Sequence, residues 1–253
     1  MQIMNKIKIF SVVLLSLVTL TISAKEYKAS VFGIKSEGIT LNTRSIQKAI
    51  DFISDNGGGK LAFYVGRYLT GTIELKSNVT IELNEGAILV ATPSVYDYSE
   101  VSGTKALIIA DGQQNIGIIG KGVIEGQGTT LLEQINIQIK KGYLRETMVQ
   151  ASPSLIAMNN CSNIVIDQFN LMNACGNVQS YTRCKNISVS RLTVISTAVK
   201  GSKGIVFADC DGVKLTSSFF ETSGEGLSSA GSSRNVSVVG CKDMNGKRLQ
   251  AKK

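Results

Sequence analysis

Lys203 and Glu225 stand 22 residues apart, in a chain that repeats itself about every two dozen positions, so the spacing sets a cation and a carboxylate on neighbouring turns. Such a pair can be a salt bridge between turns, or an ammonium held out to a ligand's carboxylate. It can also be two polar residues at the corners of a repeating structure, which is the commoner fate. The rest of the chemical inventory is sparse. There is no histidine, which removes the commonest metal ligand and the commonest general base together. Of five cysteines, Cys161, Cys184 and Cys210 keep one phase of the repeat, Cys175 lies on another side and Cys241 stands near the end. That pattern predicts stacked thiols serving as small apolar residues, rather than bridges. No spacing suggests a metal site, no cluster of acidic calcium ligands recurs at the repeat, and no cofactor is implied.

The elements that must position Lys203 and Glu225 run from Ser154 to Gly240. Asn163, Asn186, Gly212 and Asn235 step by 23, 26 and 23 residues, and Cys161, Cys184, Cys210 and Ser233 move with them. Between the markers, Ile164, Ile166, Ile187, Val189, Val213, Leu215, Val236 and Val238 alternate with polar or smaller side chains, the period-two pattern of strands with one buried face. In the second repeat, strands are expected near 178–181, 187–189 and 192–195. A unit this small cannot bury its own apolar face, so it must stack on its neighbours at the ordinary inter-strand distance of ~4.8 Å. The predicted fold is all-β: a right-handed parallel β-helix, the hand following from the preference of parallel crossovers. An inward asparagine at each corner would pair its amide with the one above and below. Asn78, Asn186 and Asn235 head Asn-x-Ser/Thr sequences, and as inward ladder residues they would not carry glycans.

Length and composition fit one domain at residues 25–253, without a linker. Residues 1–24 read as a secretory signal peptide. Lys6 and Lys8 precede an apolar run from Ile9 to Ile22, and Ser23-Ala24 offers a small residue for cleavage. That run is ~14 residues, short of the ~20 a spanning helix needs, so the chain is expected to be exported to the periplasm or exterior and to keep no membrane contact once the signal is removed. Net charge is +8, and +6 without Lys6 and Lys8. A mildly basic surface suits an acidic polymer, although scattered lysines also serve simply as a solvated face. Basic arms and aromatic base platforms are lacking, so nucleic acid is not an expected partner.

Ahead of the ladder, Asn42 is a candidate N-cap for a helix presenting Ile46, Ala49, Ile50 and Ile53 on one face and stopping at Asn56-Gly57-Gly58-Gly59. It would cap the first coil. Two stretches leave the pattern, Pro93 to Lys105 with Tyr96 and Tyr98, and Thr129 to Pro153 with a short helix near 131–139. Long excursions of this kind usually border the working groove of a solenoid. An open final coil near 236–239 would expose strand edges, which predicts weak self-association through the C-terminal coil, while Met244 to Lys253 can fold across the end as a partial cap.

A resemblance adds to this reading. Phe32-Gly33 through Gly38, the helix ending at Gly57-Gly58-Gly59, Gly66-Arg-Tyr-Leu-Thr-Gly71, Leu75-Lys-Ser-Asn-Val-Thr80, Glu85-Gly-Ala87 and Gly120-Lys-Gly-Val-Ile-Glu-Gly-Gln-Gly128 together resemble the opening of polygalacturonase-type enzymes, glycoside hydrolase family 28. The resemblance implies a right-handed parallel β-helix and an exported hydrolase acting on pectic polygalacturonate-like polysaccharide. Such enzymes invert the anomeric centre with aspartates on adjacent coils, an acid and a base ~6.5–9.5 Å apart. Their motifs are Asn-x-Asp-Gly, Asp-Asp one coil later, then Gly-His-Gly and Arg-x-Lys.

Here Gly201-Ser202-Lys203-Gly204 takes the first position, with lysine where the first aspartate belongs. Thr222-Ser223-Gly224-Glu225-Gly226 takes the second, leaving Glu225 as the candidate catalytic residue. The histidine motif has no counterpart. General acid–base groups contribute typically 10²–10⁴-fold each, so these replacements predict little activity. Lys203 becomes a candidate for binding a uronate. Gln179 and Tyr181, one coil earlier on the strand expected to line the same groove, become candidates for sugar hydroxyls and ring stacking, though Tyr181 can equally be packing. Three readings follow: a hydrolase working around Glu225, a catalytically silent polysaccharide-binding relative, and a structural β-helix protein.

Overall fold

The computed structural model describes residues 25–150 and 152–250. The signal-peptide expectation falls on residues 1–24, outside them. β1 (Glu26–Lys28) leads through a 3-10 turn at Ala29–Phe32 into helix α1 (Thr43–Asp55). The chain then coils. The first coil is β2 (Gly59–Phe63), β3 (Gly66–Thr70) and β4 (Ile73–Glu74). The second is β5 (Val79–Leu83), β6 (Ala87–Ala91), a hairpin strand β7 (Glu100–Val101) and β8 (Thr104–Asp111). The third is β9 (Gln114–Gly120) and β10 (Val123–Glu125), then helices α2 (Gly128–Lys140) and α3 (Thr147–Gln150), then β11 (Ser154–Asn159).

Regular coils follow as β12 (Ser162–Asp167), β13 (Asn170–Met172) and β14 (Gln179–Thr182), then β15 (Lys185–Ser190), β16 (Thr193–Ser196) and β17 (Ile205–Ala208). The last are β18 (Asp211–Thr216), β19 (Phe219–Thr222) and β20 (Leu227–Ala230), and finally β21 (Arg234–Val239) and β22 (Lys242–Asp243).

Like strands of successive coils pair in parallel to make three sheets. The first runs β1-β2-β5-β9-β12-β15-β18-β21, the second β3-β6-β10-β13-β16-β19-β22 and the third β4-β8-β11-β14-β17-β20. This is the parallel β-helix expected from the repeat. In the first sheet Ile118, Ile166, Val189 and Leu215 stack in one row, all buried, as do Ile116, Ile164, Ile187 and Val213. Helix α1 lies over the first coil with Ile46, Ala49, Ile50 and Ile53 wholly buried. Gln47 ties it to the backbone of Glu74, and Ser54 to that of Ser77. Asn42 stands at its N-cap position, its carbonyl accepting from the Ile46 N–H at 2.9 Å, but its side chain makes no capping bond. The Asn42 amide instead bonds the backbone of Lys35 and Thr40, closing the loop ahead of the helix.

At the other end, residues 244–249 double back on the last coil. Arg248 bridges to Lys242, and the Leu249 N–H donates to the Cys241 carbonyl while its side chain packs on the core. The five cysteines are buried and unbridged. Cys161, Cys184 and Cys210 stack, with the Cys161 N–H 3.4 Å from Cys184 Sγ. No helix among the described residues is long and apolar enough to cross a membrane.

The asparagine ladder exists, but outside the coil rather than inside it. Asn115 Nδ2 donates to Asn78 Oδ1 at 2.9 Å, Asn163 to Asn115 at 2.9 Å and Asn186 to Asn163 at 3.0 Å, and all four side chains are exposed. Each sits at positive φ, between 54° and 64°. The left-handed conformation that lets the chain turn from the third sheet into the first is one asparagine tolerates well, and it aims the amide at solvent. Burial therefore does not shield these positions, although the Asn186 amide stays engaged in the ladder.

Along that same face two carboxylates bind one coil to the next. Asp111 accepts from Ser102 and from Asn160 Nδ2 at 2.7 Å, while Asp211 accepts from Asn235 Nδ2 at 2.7 Å and from Arg234 Nε at 2.9 Å. These bonds, led by Ser102 at Asp111 and by Asn235 at Asp211, hold both carboxyls below the ordinary range. A depressed folded pKa gives stability that is present above the ordinary value of about 3.9 and is lost as pH falls through the folded one. The expected result is a melting temperature that declines with acidification below about pH 4, and declines less steeply in Asp111→Asn/Asp211→Asn. Unchanged acid limbs in a thermal melt series would rule out this role.

Candidate active-site groove

The corner between the second and third sheets carries both long excursions and both residues singled out for chemistry. Residues 92–105, 126–150 and 152–153 leave the coil there, and the 197–204 and 223–226 turns stack beside them. The corner is built on hydroxyls, those of Ser196 and Ser202 buried and that of Ser223 exposed. Ser196 Oγ accepts from the Ala174 N–H at 3.0 Å and lies 3.1 Å from Ser202 Oγ, which donates to the Gly176 carbonyl at 2.8 Å. Ser223 accepts from the Ser202 N–H at 3.1 Å and donates to the Val199 carbonyl. Each turn thus hangs from the one before it, and at Gly204 a β-carbon would lie 2.5 Å from the Gly226 carbonyl oxygen, so only glycine permits this stacking.

The result is the juxtaposition expected from the spacing. The Gly204 N–H donates to the Glu225 carbonyl at 3.0 Å, and Lys203 Nζ lies 3.7 Å from Glu225 Oε2 and 3.3 Å from Ser228 Oγ. The two side chains are 40% and 45% exposed, so the pair contributes little to stability, ~0–1 kcal/mol after screening, and both groups are open to a ligand. On its other side Glu225 shares a cleft of about 570 Å³ with Asp243, Lys247 and Arg248.

Gln179 and Tyr181 are a correction. Both are fully buried inside the coil, where Tyr181 Oη donates to Gln179 Oε1 at 2.8 Å and the Tyr181 ring stacks on Phe207 with centroids 5.3 Å apart. Burial pushes the Tyr181 phenol far above its ordinary range. In the third sheet Gln179 pairs in register with Ile156 and Ile205, and Tyr181 with Met158 and Phe207. That row faces the core. The intervening row, Ala157, Ser180, Val206 and Ser228, faces out, as do Asn159 and Thr182. Alternation of side chains along a strand makes this a one-residue choice of face.

The groove floor is therefore small and polar. A cleft of about 320 Å³ is lined by Asn159, Asn177, Ser180, Thr182 and Val206, with Glu100 and Lys105 of the β7–β8 hairpin and Met148 beside it. Asn177 also meets the Lys203 N–H through its Oδ1 at 3.4 Å. Ser180, Thr182, Asn159 and Lys105 were not among the expected site residues. The signal was available in the apolar phase shared by Ile156, Met158, Ile205 and Phe207, which assigns the odd-numbered residues of β14 to the core. Among the described residues no group of three or more Cys, Asp or Glu side chains is arranged to hold a metal ion.

Residues 59–249 match the sequence profile of Glycosyl hydrolases family 28. The chain belongs to that family. It is 24% identical over 260 residues to an exo-poly-alpha-D-galacturonosidase of Dickeya chrysanthemi, a match covering 84% of this chain and 43% of the relative. An endo-polygalacturonase of Pectobacterium carotovorum is 25% identical over 169 residues, with 61% and 42% covered. The chain spans less than half the length of these curated relatives. Among solved structures, a candidate glycosyl hydrolase from Parabacteroides merdae superposes with a TM-score of 0.85 at 47% identity, covering 89% of this chain and 99% of that one. The family 28 exopolygalacturonase of Yersinia enterocolitica shares the fold, with a TM-score of 0.74 at 20% identity over 87% of this chain and 49% of that one.

Proposed function

We propose that this family 28 chain is an exported protein that binds an acidic pectic polysaccharide, polygalacturonate-like, along the third-sheet groove, with Lys203 taking a uronate carboxylate. One observation carries the reading: Lys203 Nζ stands 3.7 Å from Glu225 on the open corner of that groove, where the family's catalytic pattern calls for an aspartate. A lysine cannot share acid–base work with Glu225 as a second carboxyl would, whereas an ammonium beside a hydroxyl, here Ser228, suits a carboxylate ligand. Export rests on the pattern of Lys6, Lys8 and the following apolar run.

Hydrolysis through Glu225 is a second reading: inversion needs a second carboxyl, and Asp243, whose Oδ1 holds the Asn245 and Lys247 N–H groups, lines the same cleft. One experiment separates the two. Mature protein is incubated with polygalacturonate, bound polymer is measured by calorimetry, and new reducing ends are counted for wild type and Glu225→Gln. Binding with no reducing ends above the blank is the expected result. Reducing ends that disappear in Glu225→Gln would establish the hydrolase instead, and absence of both binding and release would overturn each reading.

A further inference from the structure

One row of outward side chains crosses the third sheet from β8 to β20: Ile109, Ala157, Ser180, Val206 and Ser228, each in register with the one before. Its two ends differ. Ile109 and Ala157 are buried, because the β7–β8 hairpin folds back over them. Val101 packs on the cluster they form with Ala106, and Ser102 at the hairpin tip donates to Asp111 at the far end of β8. Ser180, Val206 and Ser228 are part-exposed. The neighbouring row changes in the same way, from Asn159, 6% exposed, to the part-exposed Thr182 and Ala208 and the exposed Ala230. Along the axis of the coil the groove therefore has a closed end at the hairpin. Its open floor is β14, β17 and β20, two inter-strand steps or about 10 Å. Among the described residues no strand pairs with β20 on its far side, so the floor is not closed there.

The closed end is polar. Lys105 and Glu100 of the hairpin line it together with Asn177, Ser180 and Thr182. Asn159 lines it too, and its buried Nδ2 has no hydrogen-bond partner among the described residues. A donor left in that state is costly until an acceptor reaches it. The interior of a long polymer cannot follow this floor past β14, because the hairpin covers β11 and β8, whereas a chain terminus can stop there. We propose that the groove seats the end of a uronate polymer, with the terminal sugar against Lys105 and Asn159 and the following units running over Val206 and Ser228 past Lys203. This rests on the pectic-polymer reading above and adds which part of the polymer is held. Chain ends and short oligosaccharides are then equivalent ligands, and chain interiors are not ligands.

The test titrates wild type and Lys105→Glu by calorimetry with a galacturonate trisaccharide and with polygalacturonate fractions of two mean lengths, matched in total uronate. Lys105 is part-exposed on the hairpin, outside the core, and a thermal melt verifies that the variant folds. In wild type, halving the mean chain length is expected to double the sites titrated per uronate, and the trisaccharide to bind within about threefold of the affinity per chain end. Lys105→Glu is expected to lower both affinities by the same factor, about tenfold or more, since the same terminal sugar loses a charged donor in each. Sites per uronate that stay constant with chain length, or a trisaccharide that fails to bind where the polymer binds, would overturn end recognition and leave the pectic-polymer reading standing. Wild-type affinities in Lys105→Glu would overturn the hairpin as the seat of the terminal sugar. Failure to bind any of these ligands would overturn both readings.

Discussion

Lys203→Glu is expected to weaken polygalacturonate binding about 10- to 100-fold at low salt, with a flatter dependence on ionic strength than wild type. The change replaces the ammonium that faces Glu225 at 3.7 Å and Ser228 at 3.3 Å with a second carboxylate on an open corner. A unit charge at about 4 Å near a protein surface is worth a few kcal/mol before screening. Exposure of 40% trims that to roughly 1–3 kcal/mol for a ligand carboxylate. Because the Debye length is about 10 Å at 0.1 M salt, the wild-type contact should fade as salt is added, while in the variant salt relieves a repulsion and offsets the general loss of attraction. Calorimetry at two ionic strengths reads both quantities. Affinity within twofold of wild type at low salt would remove Lys203 from the binding account.

The second large effect concerns a residue the groove does not use. Tyr181→Ala is expected to destabilise the fold by about 3–5 kcal/mol, the range for emptying a packed aromatic site. The ring stacks on Phe207 at 5.3 Å and its hydroxyl is the donor that satisfies Gln179 Oε1, in a layer with no exposure to solvent. At about 2–4 °C per kcal/mol for a chain of this size, the melting temperature should fall by roughly 6–20 °C. Tyr181→Phe isolates the hydroxyl and should cost about 1–3 kcal/mol, since it leaves a buried carbonyl oxygen unpaired. Polymer affinity per folded molecule should stay at the wild-type value in both. An Ala variant that melts like wild type but no longer binds would return Tyr181 to the groove.

Lys203 and Tyr181 show what could be read from the chain and what could not. The 22-residue interval between Lys203 and Glu225 was enough to bring them together, because stacked coils turn sequence period directly into contact. The same logic identified the buried rows of Ile166, Val189 and Leu215, the thiol stack, the α1 cap and, with the glycine-rich opening, the family. It failed at Gln179 and Tyr181 because a polar amide and a phenol look like groove residues when judged by type. The row they occupy is decided by the apolar residues of the strands on either side. Inside, Tyr181 two residues away on the same face satisfies the Gln179 Oε1, while the buried Nε2 has no hydrogen-bond partner among the described residues.

Period and residue type along the sequence by themselves determined the coil, its phase, the approach of Lys203 to Glu225 and kinship with family 28. Closure of the coil decided the rest. Alternation offers two faces for every strand, and only the enclosed volume says which becomes core: it took Tyr181 inward, left Ser180 and Thr182 on the groove, and turned the asparagine ladder out to water. The cleft lined by Leu132 of α2, Val149 of α3 and Val199 likewise exists only in the folded chain, since it draws on segments some 50 to 70 residues apart that no local pattern brings together.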